Sequence, residues 1–139
     1  SMGRVQLSKL DFLNEKRREV VEKIVEIINK KEWLSTIVPR EGDKSAHYGI
    51  PILIDSEAPF SRKEICVYLE SKGIETRAMM MGCLPDQPAF RDLNHRIHGD
   101  LEFSRTLRDK AFFIGCHPAL NDGHINLIEE SLKSFYKKN

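Results

Sequence analysis

SRKEICVYLESKGIETRA, residues 61–78, decides the fold. Ser61 followed three residues later by Glu64 is the signature of a capping box, so a helix is expected over Ser61 to Ser71. Ile65, Val67, Tyr68 and Leu69 supply its buried side. Gly73 stands where a left-handed C-terminal cap belongs, and Ile74 to Arg77 then reads as a short strand. The strand ends on a side chain that is always ionised and carries five donors in a rigid fork. Arg77 at a strand end suits the grip of a carboxylate or phosphate, with the Gly82-containing loop Met79 to Phe90 beside it to close over an anion. The competing reading is a solvated surface ion pair, for instance with Glu75.

Outward from this stretch the chain alternates. Residues from about 4 to 31 read as one long helix, with Leu10, Leu13, Val20, Val21, Ile24 and Ile28 recurring at three- and four-residue steps. Such a helix spans on the order of 40 Å, longer than a domain of this size needs, and a helix that overshoots its domain connects to something else. PREGDKS, residues 39–45, is a polar loop. HYGIPILI, residues 47–54, reads as a strand, and Pro51 places it at an edge or a bulge. Downstream, residues 101–110 form a short helix and Ala111 to Gly115 an apolar strand. Asp122 caps a last helix with Ile125, Leu127, Ile128, Leu132 and Phe135 on its inner side. This order describes a two-layer α+β domain, a small sheet covered on one side by helices.

Composition bounds the function. A chain of 139 residues is one domain, long enough to bury a core without staples. A formal charge of +1 gives no push toward nucleic acid or an anionic membrane. The basic pairs Lys30-Lys31 and Lys137-Lys138 sit at expected helix ends, where cations complement the dipole. No apolar run approaches membrane-spanning length. Cys66, Cys83 and Cys116 are odd in number and show no CxxC spacing, which suggests free thiols in a reducing compartment; Cys66 is expected in the core and Cys83 accessible in its loop. Ser1-Met2 resembles an expression scar.

Complete catalytic sets are missing. His47, His95, His98, His117 and His124 have no carboxylate or Cys partners at metal-ligand spacing, so no metal is expected. GxSxG, GxGxxG and the P-loop pattern are absent. The acidic pairs Glu41/Asp43 and Glu129/Glu130 read as solvated faces. Met79, Met80 and Met81 are either gap-filling core residues or a soft apolar wall for a sugar-like ligand. His47 and Tyr48 line the same space or simply pack.

Several stretches taken together resemble one family. GRVQLSKLDFLNEKRREVVEKI, HYGIPILI, APFSRKEICVYLESKGIETRAMMMG, QPAF, HGDLEFS and AFFIGCHPALNDGHINLI are similar, in order, to the C-terminal small domain of the DegT/StrS family. These are fold-type I, pyridoxal-phosphate-dependent enzymes acting on nucleotide-linked keto sugars. The insert between Arg77 and Phe90 most resembles the CDP-4-keto-6-deoxyglucose 3-dehydrase branch, with Cys83 where that branch tends to have Asn. Phe113 stands where Trp is common, and His117 where Tyr is common.

The resemblance implies residues 1–2 as scar, 3–31 as a linker helix and 32–139 as the small domain, with the large cofactor-binding domain absent. It implies a substrate-capping role in an aminotransferase or 3-dehydratase of deoxy- and amino-sugar (lipopolysaccharide or related glycan) biosynthesis, cytoplasmic and homodimeric in the intact enzyme. Substrate-side residues would be Arg77, Met80, Met81, Tyr48 and His117. Pyridoxal phosphate would belong to the intact enzyme, and neither catalytic nor cofactor-binding residues are expected in this chain. Two alternatives stand beside it: a stand-alone non-catalytic module binding an anionic small molecule or protein partner, and a purely structural dimerisation piece.

Overall fold

In the computed structural model, which describes residues 2–37, 39–40, 42–80 and 82–136, the capping box forms as the sequence predicts. Ser61 Oγ accepts the Glu64 N–H, and the Glu64 carboxylate takes the Ser61 N–H at 2.7 Å. Helix α3 (Arg62–Ser71) follows. It ends in a Schellman motif: Gly73 adopts φ +81°, its N–H donates to Glu70 O, and the Ile74 N–H donates to Leu69 O. The chain leaves as β3 (Thr76–Ala78), so Arg77 lies within the strand rather than at its end.

The other elements are α1 (Met2–Leu7), α2 (Leu10–Asn29), β1 (Leu34–Thr36), β2 (Ile50–Ile54), α4 (Glu102–Lys110), β4 (Ala111–Ile114) and α5 (Asp122–Tyr136). The four strands form one antiparallel sheet in the order β1-β2-β4-β3. Ile50, Ile52 and Ile54 of β2, with Phe112 and Ile114 of β4, alternate onto one face. There they meet Val20, Val21, Ile24 and Ile28 of α2, Ile65 and Leu69 of α3, and Ile125, Ile128, Leu132 and Phe135 of α5. Phe60 closes the end of this core edge-on to Phe135, with ring centroids 4.9 Å apart. No residue of α4 is buried, although it touches β2 and β4. The α+β fold expected from the sequence is the one observed.

Several expectations need correction. The single helix over 4–31 is two helices, because the Ser8 hydroxyl donates to Val5 O at 2.8 Å and the Lys9 N–H makes a tight turn bond to Gln6 O. Residues 47–49 are not strand: His47 has φ +38°, which no strand accommodates. Pro51 sits on an interior strand, yet β1 stops with Thr36 opposite Ile52, so Pro51 has a strand neighbour, Phe113, only on the β4 side. Val67 and Leu127 face outward, each two residues from a buried Ile and therefore on the far side of its helix. Asn121, not Asp122, caps α5 through its Oδ1 to the His124 N–H, while Asp122 pairs with Lys23 at 2.7 Å. Cys83 is buried rather than accessible. Cys66, expected in the core, is partly exposed and packs against it. Strand β1 was not expected.

Candidate functional site

Antiparallel register sets the site. Arg77 pairs directly with Phe113 across β3 and β4, and Phe113 pairs with Pro51 across β4 and β2. Directly opposed residues share a face, so these three form a row on the side of the sheet away from the main core. Tyr48 adds to the row by packing on Phe113, centroids 5.7 Å apart and tilted by 59°. Gly49 makes this possible: a Cβ there would lie 2.6 Å from Phe113 Cδ2.

A cleft of about 370 Å³ opens at the end of this row. Tyr48, Glu75, Arg77, Phe113, His117, Leu120, His124 and Leu127 line it. Three expected residues, Arg77, Tyr48 and His117, are thus brought together. Met80 is not among the lining residues; it is solvent-exposed with φ +44°. Met81 lies outside the described residues, as do Glu41, Lys137 and Lys138.

Donors dominate the polar lining. Arg77 Nε and Nη2 hold Glu75 Oε1 at 2.9 and 2.7 Å, and both side chains are mostly exposed. Arg77 therefore forms the surface pair that the competing reading expects. Such a pair is worth about 0.2–1 kcal/mol, little enough for an anion to displace it. His117 Nδ1 accepts the Ala119 N–H at 3.1 Å, and His124 Nδ1 accepts the Asn121 N–H at 3.2 Å. In the neutral ring each therefore carries its proton on Nε2, a donor. An apolar floor of Phe113, Leu120, Leu127 and Ile128 with an aromatic rim suits a sugar or base face; the guanidinium and imidazole donors suit an anion.

Sequence reasoning missed His124, Phe113 and Leu127 as lining residues. His124 carried one signal: it stands three residues after Asn121, and the two exchange bonds as in a capping box, with imidazole in place of carboxylate.

The Gly82 loop does not close over this cleft. Asp86 takes Arg105 Nε at 2.9 Å and Arg108 Nη1 at 2.6 Å, which ties the loop to α4. Chiefly because of the Arg105 bond, the Asp86 carboxyl is held down at about 2. Gly82 lies against Arg108, where a Cβ would come within 2.4 Å of Arg108 Cβ.

Among the described residues no three His, Cys, Asp or Glu side chains gather to hold a metal, and no helix is long and apolar enough to cross a membrane. No described lysine is buried; Lys16, Lys23, Lys30 and Lys133 hold surface carboxylates. A Schiff-base lysine sits in a desolvated pocket, so these surface lysines do not fit covalent attachment of pyridoxal phosphate.

The architecture recurs in solved sugar-modifying enzymes. Escherichia coli GDP-4-keto-6-deoxy-D-mannose-3-dehydratase, solved with bound hydrated PLP, superposes with a TM-score of 0.83 at 24% identity, covering 94% of this chain and 33% of that one. The chain belongs to the DegT/DnrJ/EryC1/StrS aminotransferase family, whose model matches residues 1–133. It is 29% identical over 96% of its length to dTDP-4-dehydro-2,6-dideoxy-D-glucose 3-dehydratase of Saccharopolyspora spinosa, covering 29% of that protein. It is 24% identical over 99% of its length to the lipopolysaccharide biosynthesis protein RfbH of Salmonella typhimurium, covering 32% of that protein. The chain thus spans about a third of the length of the curated relatives it matches.

Proposed function

We propose that this chain is the substrate-capping small domain of a PLP-dependent sugar-nucleotide aminotransferase or 3-dehydratase, in deoxy- or amino-sugar biosynthesis such as that of lipopolysaccharide. The observation that carries the reading is the cleft joining Arg77, Tyr48, His117 and His124 over an apolar floor. Family membership and the names of its relatives support it. Residues 3–31, now helices α1 and α2, form the link to a larger cofactor-binding domain, and residues 32–139 form the cap. That domain would supply the lysine or histidine of the cofactor site, a role that the surface lysines described here do not fit. PLP, when bound there, acts as the electron sink. This chain's own residues hold and orient a nucleotide-linked keto sugar: Arg77 takes an anionic group, Tyr48 and Phe113 offer an aromatic surface, and the His117 and His124 Nε2–H groups donate to oxygens.

Steady-state kinetics of the intact enzyme test this. His124→Phe keeps an apolar ring but removes the donor, and is expected to raise KM for the sugar nucleotide several-fold with the fold intact. Unchanged KM for both His124→Phe and Tyr48→Ala refutes the capping role.

A further inference from the structure

A second depression, of about 500 Å³, also borders Tyr48, and Arg77 does not line it. It shares Tyr48, Gly115 and His117 with the first cleft, and adds Arg17, His47 and Cys116. None of its lining residues is acidic. Arg17 Nη1 donates to Ala46 O at 2.8 Å, which fixes the guanidinium against the 45–48 loop, and among the described residues no carboxylate pairs with it. That contrasts with its neighbour Arg18, which is paired with Glu15. The 45–48 loop is itself held in an unusual shape: His47 has φ +38°, its N–H donates to Ser45 Oγ, and its carbonyl accepts from Cys116 Sγ at 3.7 Å. A non-glycine residue kept in the left-handed region needs surroundings that over-determine it, and such positions cluster at ligand sites.

We propose that this depression is a second anion site, in which Arg17 grips a phosphate group between the His47 and His117 rings. Its chemistry is one unopposed guanidinium and two imidazoles around an acid-free, half-enclosed surface, a donor set that matches tetrahedral oxygens. His47 adds a signature. Burial first, and then the charges of Arg18 and Arg17, push its pKa down, which favours the neutral imidazole. The charged groups around it are Arg17 on one side and Arg18, Glu22 and Asp43 on the other, with His117 across the depression. A bound phosphate offsets the two guanidinium charges and draws a proton onto His47. Tyr48 then borders two anion grips, one lined by Arg77 and the other by Arg17. The proposal stands apart from the capping reading, because its test needs only the 139-residue chain.

The test is an imidazole NMR titration of the chain with inorganic phosphate, at constant ionic strength set with sodium chloride. Saturable shifts at His47 and His117 are expected, with the His47 titration moving to higher pH. Arg17→Ala is expected to weaken binding about tenfold, as for loss of one charge-assisted contact. Arg4→Ala, which removes an equal charge from exposed α1, should leave it unchanged. Because Arg17 also braces the loop, His117→Phe serves as the second variant and should weaken binding while sparing that brace. A nucleoside 5′-phosphate repeated in the same way separates sources: tighter binding marks a nucleotide ester, equal binding a free phosphate ion. Shifts that survive both Arg17→Ala and His117→Phe, or that vanish in Arg77→Ala instead, overturn the second site. The latter result would leave the first cleft and the capping role standing.

Discussion

Replacing Arg77 and Glu75 in turn should move substrate binding in opposite directions. The two are paired at 2.7 Å, with side chains 62% and 73% exposed. An exposed pair of this kind is worth about 0.2–1 kcal/mol. A charge-assisted contact from Arg77 to a ligand anion is worth about 1.5–3 kcal/mol. Binding exchanges the first for the second, so the net contribution is about 1–2 kcal/mol, or roughly fivefold to thirtyfold in affinity. On the proposed capping role, Arg77→Ala in the intact enzyme is expected to lower kcat/KM for the sugar nucleotide by about tenfold. Arg77→Lys should recover only part, since an ammonium cannot form the bidentate fork. Glu75→Gln removes the competitor and should improve KM by up to about fivefold, with folding unaffected because the pair is exposed. Kinetics on purified variants with matched circular dichroism and thermal melts decide it. If Arg77→Ala folds normally and keeps its kcat/KM, or if Glu75→Gln weakens binding, the guanidinium does not serve the ligand and the pair is surface decoration.

Three further outcomes are expected. Gly82→Ala adds a left-handed penalty at φ +60° to a 2.4 Å approach on Arg108 Cβ, and should destabilise the chain by about 2–4 kcal/mol in urea melts; a change within about 0.5 kcal/mol would show that the Gly82 loop is not packed on α4. Asp86 titrates near 2 in the folded chain against an ordinary 3.8, so the unfolded state binds more protons between those values. The Asp86 contribution is complete above about 3.8 and fades as pH falls toward 2, and Asp86→Asn should flatten that acid limb of a stability–pH profile; an unchanged limb refutes the tie to Arg105 and Arg108. Val5, Leu7, Leu10 and Phe12 are exposed along α1 and the start of α2, so sedimentation should show self-association that rises with concentration and that Leu7→Asp with Phe12→Asp abolishes; a strict monomer at all concentrations counts against it.

What the sequence disclosed and what it withheld divide along one physical line. Features governed by a few adjacent residues were legible: the Ser61–Glu64 box, the Gly73 cap, and the periodic burial of Val20, Val21, Ile24 and Ile28. Features that depend on a partner far along the chain were not. β1 is three residues with one buried, too short to show a period, and it exists because Leu34 finds Ile54 across the ladder. Pro51 signalled an edge, which is true of its own register position but not of its strand. Cys83 looked accessible beside Gly82, yet the anchoring of Asp86 by two arginines about twenty residues downstream buries it.

The site follows the same division. Arg77 was recognisable because a permanent charge after an apolar strand start is locally odd. Its companions were not, because antiparallel register rather than spacing sets them beside it. Phe113 lies opposite Arg77 and Pro51 at once, and that double pairing puts a ring between the guanidinium and the 45–48 loop. Leu127 was expected inside because its neighbours are; two positions from Ile125 it turns instead to the cleft, where an exposed leucine has a use. The helices bury one face of the sheet and leave the other with Arg77, Phe113 and Tyr48 in a row. The domain thus has a finished core on one side of the sheet and an aromatic, cationic row on the other, the face that the proposed capping role uses.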